Sequence, residues 1–119
     1  MAFEQTQKER FLGSLMDANR QGQITEINLR FQGKTDEAEK VWQENRRLSA
    51  EIDILIGQMM DEWLGNAERT IKGLAKINTK LEAAVAEIKK QINVAQNVVK
   101  IIGLLDDAVA IAKKVVAGF

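Results

Sequence analysis

Asp106 and Asp107 stand side by side within VVKIIGLLDDAVAIAKKVVA, residues 98–117 of a 119-residue chain. Carboxylates are what general acid–base catalysis or a magnesium or calcium site is built from, so this pair is the first place to look for chemistry. The rest of the composition gives it no help. Histidine, cysteine and tyrosine are absent, which removes the common zinc, haem and thiolate sites and the Ser–His–Asp arrangement. The acidic residues nowhere take the spacing of a calcium-binding helix–loop–helix. Set among valine, isoleucine and leucine, Asp106 and Asp107 read as the wet stripe of a helix. The expectation is a non-enzymatic protein with no catalytic residue, no cofactor and no metal.

On a helical wheel the same stretch divides cleanly. Lys100, Gly103, Asp106, Asp107, Ala110, Lys113, Lys114 and Ala117 gather within roughly 140° at 100° per residue. Val98, Ile101, Ile102, Leu104, Leu105, Val109, Ile111, Val115 and Val116 fill the rest, with Val99 as the exception. Charges interrupt the apolar run far more often than the ~20 residues a spanning helix needs. Two uses remain for the apolar side. It is the most central helix of a bundle, or it is a reversible face, with Val98, Ile101, Leu105, Val109 and Val116, for a membrane surface or a partner groove.

Charge points away from nucleic acid. Seventeen basic residues balance seventeen acidic ones, and residues 1–47, 48–97 and 98–119 are each close to neutral. No basic tail is present to follow a phosphate backbone. The N-terminal MAFEQTQKERFLGSLM carries charges before any apolar stretch, unlike a cleaved secretory signal. The expected location is cytoplasmic, with signal-independent secretion as the other route.

The elements that must position these residues are helices. Proline, which interrupts helix interiors, is absent, and Ala, Leu, Lys, Glu and Gln are abundant. A first helix is expected over 3–20, closed by Gln21-Gly22-Gln23. Residues 24–32 fit either a short helix (Ile24, Ile27, Phe31) or a strand (Ile27, Leu29, Phe31), and the short helix is preferred because no partner strand is visible. Gly33-Lys34-Thr35-Asp36 marks a boundary, with Thr35 or Asp36 as cap. The helix after it carries Leu48, Ile52, Leu55 and Met59 in a coiled-coil rhythm.

From Leu74 the same rhythm runs through Leu74, Asn78, Leu81, Val85, Ile88, Ile92, Ala95, Val99 and Ile102. A single helix over 66–117 would be about 78 Å long at ~1.5 Å per residue and would need partner helices along its length. Leu74, Asn78, Leu81, Val85, Ile88, Ile92, Val99 and Ile102 are therefore the expected oligomer or partner interface. Asn78 is the one polar member, a residue type that sets register in such seams.

Mid-chain, Trp63-Leu64-Gly65 followed by Ala67 resembles the W-x-G turn of the small secreted helical hairpins, the WXG-like proteins. The resemblance implies that Trp63 and Gly65 sit at a hairpin turn. It further implies a helical dimer exported without a cleaved signal, serving as partner or effector. The tyrosine of that family's tail signal has no counterpart here.

These readings converge on an all-α fold. Residues 1–34 form a shorter N-terminal helical segment. Residues 35–119 form a long antiparallel, coiled-coil-like hairpin that turns near 64–66, all within one domain and assembled into an oligomeric bundle. The expected function is a helical assembly or adaptor protein, working through homo-oligomerisation or a partner protein helix and not through nucleic acid. A membrane-active, toxin-like or pore-forming component using helix 98–117 is the alternative, and a WXG-like effector or partner is a lesser one.

Overall fold

The structure, a computed structural model, describes residues 4–57 and 66–117, without the side chains of 116 and 117. The described residues form four α-helices: α1 (Gln5–Phe31), α2 (Thr35–Gly57), α3 (Ala67–Lys89) and α4 (Val94–Ala117). The overall dimensions are 45 × 22 × 19 Å. The WXG-like turn, Trp63 and Gly65, lies outside the described residues, but Asn66 beyond it caps α3 with its Oδ1 accepting from Arg69 N at 3.1 Å. An Asn at this position is among the favoured N-caps.

Among the described residues the first helix, at 27 residues, is the longest and not the shortest. It runs straight through the expected break at 21–23 and settles residues 24–32 as helix up to Phe31. Gly22 is no turn glycine: a Cβ built there would lie 2.3 Å from Asn45 Oδ1. The residue is small because α2 passes close by. The expected boundary at 33–36 is present, although Lys34 rather than Thr35 or Asp36 precedes the helix. Asp36 and Glu37 instead occupy the first turn of α2, where their charge opposes the positive end of the helix.

The long helix expected over 66–117 is divided at 90–93. Both described turns end their helix in the same way. After α1, Lys34 N bonds Leu29 O at 2.9 Å and Gly33 N bonds Arg30 O at 3.1 Å; after α3, Ile92 N bonds Glu87 O at 2.9 Å and Gln91 N bonds Ile88 O at 3.0 Å. This is the Schellman pattern, with one residue in the left-handed region. Gly33 (φ 75) fills that position in the first turn and Gln91 (φ 58) in the second, followed by Asn93 (φ 46).

The chain therefore folds as two antiparallel hairpins, α1/α2 and α3/α4. Helix α1 packs on α2 and α3, and α4 packs on α2 and α3, so α2 and α3 occupy opposite corners. The hairpins lie side by side in the same sense. Arg10 meets Glu68, Asn78 bonds Ser14 and Gln32 Nε2 donates to Ile88 O at 2.8 Å, so α1 and α3 run parallel and the two turns are neighbours. Phe11, Leu15 and Leu29 from α1, Val41, Leu48 and Leu55 from α2, Leu74, Leu81 and Ile88 from α3, and Ile101 and Leu105 from α4 fill the interior with no exposed surface. Complete burial of such side chains contributes about 1.5–3 kcal/mol each, far more than helix propensity supplies.

Candidate interaction surfaces

The heptad row of α3 is an internal seam. Leu74, Leu81, Val85 and Ile88 are buried against the chain's own helices. Asn78 is half-buried between α3 and α1, donating from Nδ2 to Ser14 O at 3.1 Å, while its Oδ1 is buried without a partner among the described residues. Beyond the turn the row leaves the core. Ile92 and Val99 are exposed, Val99 to 72%, and Ile102 is only partly buried. The turn starts a new helix with its own phase, which sets these residues outside the internal seam that Leu74, Leu81, Val85 and Ile88 form.

The apolar face foreseen for a membrane or a partner is likewise internal. Val98, Ile101, Leu105 and Val109 are buried in the core, and the Val116 side chain lies outside the described residues. Lys100, Gly103, Asp106, Asp107, Ala110, Lys113 and Lys114 face outward, as their segregation on the wheel required. Among the described residues, no helix is long and apolar enough to cross a membrane.

Asp106 serves a clasp between α2 and α4. Arg47 Nη1 lies 3.0 Å from Glu44 Oε2 and 3.3 Å from Asp106 Oδ1. Burial pushes the Glu44 carboxyl above its usual range; a hydrogen bond to Asp106 pushes the same way, and Arg47 opposes both. No group of three or more potential metal ligands occurs among the described residues.

A second clasp joins α1 and α2. Asn19 Nδ2 donates to Asn45 Oδ1 and to Ser49 Oγ, each at 3.0 Å, and Asn45 Nδ2 returns a bond to Asn19 O at 3.0 Å. Asn45 is buried. Its amide fits because Gly22 presents no side chain to it.

Two outward features escaped the sequence reading. On α1, Met16, Ile27 and Phe31 are exposed to 54, 51 and 86%. Counted at 100° per residue they lie within about 60°, diametrically opposite the buried Phe11, Ala18, Gly22 and Leu29. On α3, Arg69, Lys72, Lys76 and Lys80 are all exposed and step by three, four and four, which sets them on one side. A cleft of about 480 Å³ beside this row is lined by Asn66, Arg69, Thr70, Gly73, Ile111 and Lys114. Both features were open to a wheel drawn for α1 and α3; tallies taken over long segments average them away.

The charges divide with the hairpins. Residues 1–57 hold eight basic and ten acidic side chains, and 66–119 hold nine and five. In the first hairpin Arg20, Arg30 and Arg47 are tied to carboxylates, and Arg10 reaches Glu68 of the second. Arg46 lies 5.2 Å above the Trp42 ring. Arg69, Lys72, Lys76, Lys80 and Lys114 have no ion-pair partner among the described residues. Comparison with family models, curated proteins and solved structures finds no match to this chain.

Proposed function

We propose that the protein is a non-enzymatic helical assembly module that acts through helix-on-helix contact on the outer face of α1, its first partner being a second copy of itself. The observation that carries this reading is the outward stripe of Met16, Ile27 and Phe31. Large apolar side chains exposed singly are ordinary, but these three share one bearing on α1, with Arg20 and its partner Asp17 between the first two, and burial against a second helix would stabilise them.

The stripe is self-complementary. Set two α1 helices antiparallel about a two-fold axis between residues 21 and 22. Met16 then meets Ile27 of the second copy, and Phe31 meets its partly buried Leu12. Such isologous pairing is the usual route to a homodimer. The heptad row Leu74–Ile88 has no further face to offer, because α1 and α4 already cover it. Ile92 and Val99, further along that row, are also exposed, and it is the self-complementary spacing on α1 that leads us to place assembly there.

Light scattering at micromolar concentration tests the reading. Wild type is expected as a dimer, and the triple variant Met16→Ser, Ile27→Ser, Phe31→Ser as a monomer with an unchanged circular dichroism spectrum. A monomeric wild type, or a triple variant that remains dimeric, overturns it.

A further inference from the structure

We propose that the outer face of α3, with Lys114 of α4 at its rim, docks the intact bundle onto an anionic bilayer surface. Arg69, Lys72, Lys76 and Lys80 form a straight row on one rigid helix, about 16 Å long from first to last at ~1.5 Å per residue. Antiparallel packing of α3 and α4 brings Lys114 to the same cleft as Arg69. None of the five is neutralised by a carboxylate among the described residues, whereas the arginines of α1 and the Arg47 of α2 are. The first hairpin carries the opposite net sign, so a negative plane would turn α3 toward it and hold α2, at the far corner, away.

The chemistry of the row favours a bilayer over other polyanions. No aromatic residue occurs in α3 or α4, so bases have nothing to stack on. Four of the five cations are lysines, point charges without the planar fork that reads single phosphates or carboxylates. Ala75 and Thr79 stand between them, small residues that let a flat surface approach, and Glu68 beside Arg69 is taken up by Arg10. A plane of anionic headgroups asks only for cations held close to it. This docking leaves Val98, Ile101, Leu105 and Val109 in the core and uses a different helix from the α1 stripe.

The test is flotation of the full-length chain with phosphatidylcholine vesicles, with and without 30% phosphatidylserine. Binding is expected only with phosphatidylserine, and it should weaken steeply as salt is raised from low to physiological strength. Each basic residue near such a surface contributes roughly fivefold, so Lys72→Gln with Lys76→Gln should weaken binding roughly 30-fold. The control Lys34→Gln with Lys40→Gln, on the first hairpin, should leave binding as in wild type, and circular dichroism should show both variants folded. The α1 triple variant should still float, which separates this proposal from the dimer reading. No flotation, equal flotation on pure phosphatidylcholine, or an unaffected Lys72/Lys76 variant overturns the proposal. So does displacement by millimolar inorganic phosphate, which would mark a single-anion cleft. Duplex DNA binding as tight as that to the vesicles would overturn it too, marking a general polyanion site.

Discussion

Gly22→Ala should destabilise the protein, although alanine is the better helix former. A Cβ at this position would sit 2.3, 2.5 and 2.9 Å from Oδ1, Cγ and Nδ2 of Asn45. The Asn45 amide cannot simply step aside, because it is pinned by bonds to and from Asn19, each at 3.0 Å. Turning it out breaks two hydrogen bonds at about 1 kcal/mol each and leaves a buried amide poorly paired, for about 1 kcal/mol more. Replacing glycine within a helix returns about 1 kcal/mol. The net loss is about 2 kcal/mol, or roughly 8 °C in Tm for a chain of this size. Urea unfolding followed by circular dichroism measures it. The decisive comparison is with the same change in an Asn45→Ala background. There the clash is gone, and Gly22→Ala should stabilise by about 1 kcal/mol, so the coupling between the two sites is about 3 kcal/mol. If Gly22→Ala stabilises the otherwise wild-type protein, α1 and α2 do not approach closely here and the reasoning fails.

Three further outcomes are expected. Gln91 holds a left-handed conformation that costs a non-glycine residue about 1 kcal/mol, so Gln91→Gly should raise the unfolding free energy measured in urea by about that amount; a loss of stability would refute the turn geometry. Asn78→Leu removes one bond to Ser14 O and one orphaned acceptor, and should raise thermal stability by about 1 kcal/mol, which a calorimetric scan reads directly; a lower Tm would mean that Asn78 is better satisfied than its surroundings suggest. Glu44 binds its proton more tightly folded than unfolded. Stability should therefore fall as pH rises from the ordinary carboxylate range through the raised folded pKa. Glu44→Gln should flatten that slope in urea midpoints taken across acidic pH, and an unchanged slope would place its origin elsewhere.

The helical class was legible because nothing in the sequence opposes it: proline is absent, and rows such as Leu48-Ile52-Leu55 and Leu74-Leu81-Ile88 keep a helical period. The boundary at Gly33 was legible for the same chemical reason that it exists, since glycine takes the left-handed residue of the turn without strain. Its twin at 90–93 was hidden. Lys-Lys-Gln-Ile-Asn contains neither glycine nor proline, and Ile92, Ala95 and Val99 happen to prolong the heptad count. Gly22 misled in the opposite direction, because a glycine admitting a neighbouring helix and a glycine ending its own look alike in one dimension. The buried faces of α3 and of residues 98–117 were identified correctly as apolar. Periodicity reports that a face is covered, not by which chain. Leu81, read as a surface for a partner, and Ile101, read as either bundle core or partner face, are both core residues. The row Arg69-Lys72-Lys76-Lys80 was lost because charge was counted along the chain when it is organised around the helix.

The assignment of assembly to α1 is tested most directly by pulsed dipolar spectroscopy on singly spin-labelled protein. A label at Gln23, on the outer side of α1, should report a defined intermolecular distance of about 30 Å or less, since packed helices lie ~8–10 Å apart. A label at Lys76, on the outer side of α3, should report a clearly longer intermolecular distance in lipid-free solution, set by the width of the two bundles. The shorter distance between Lys76 labels, or no intermolecular coupling at either site, would contradict the assignment.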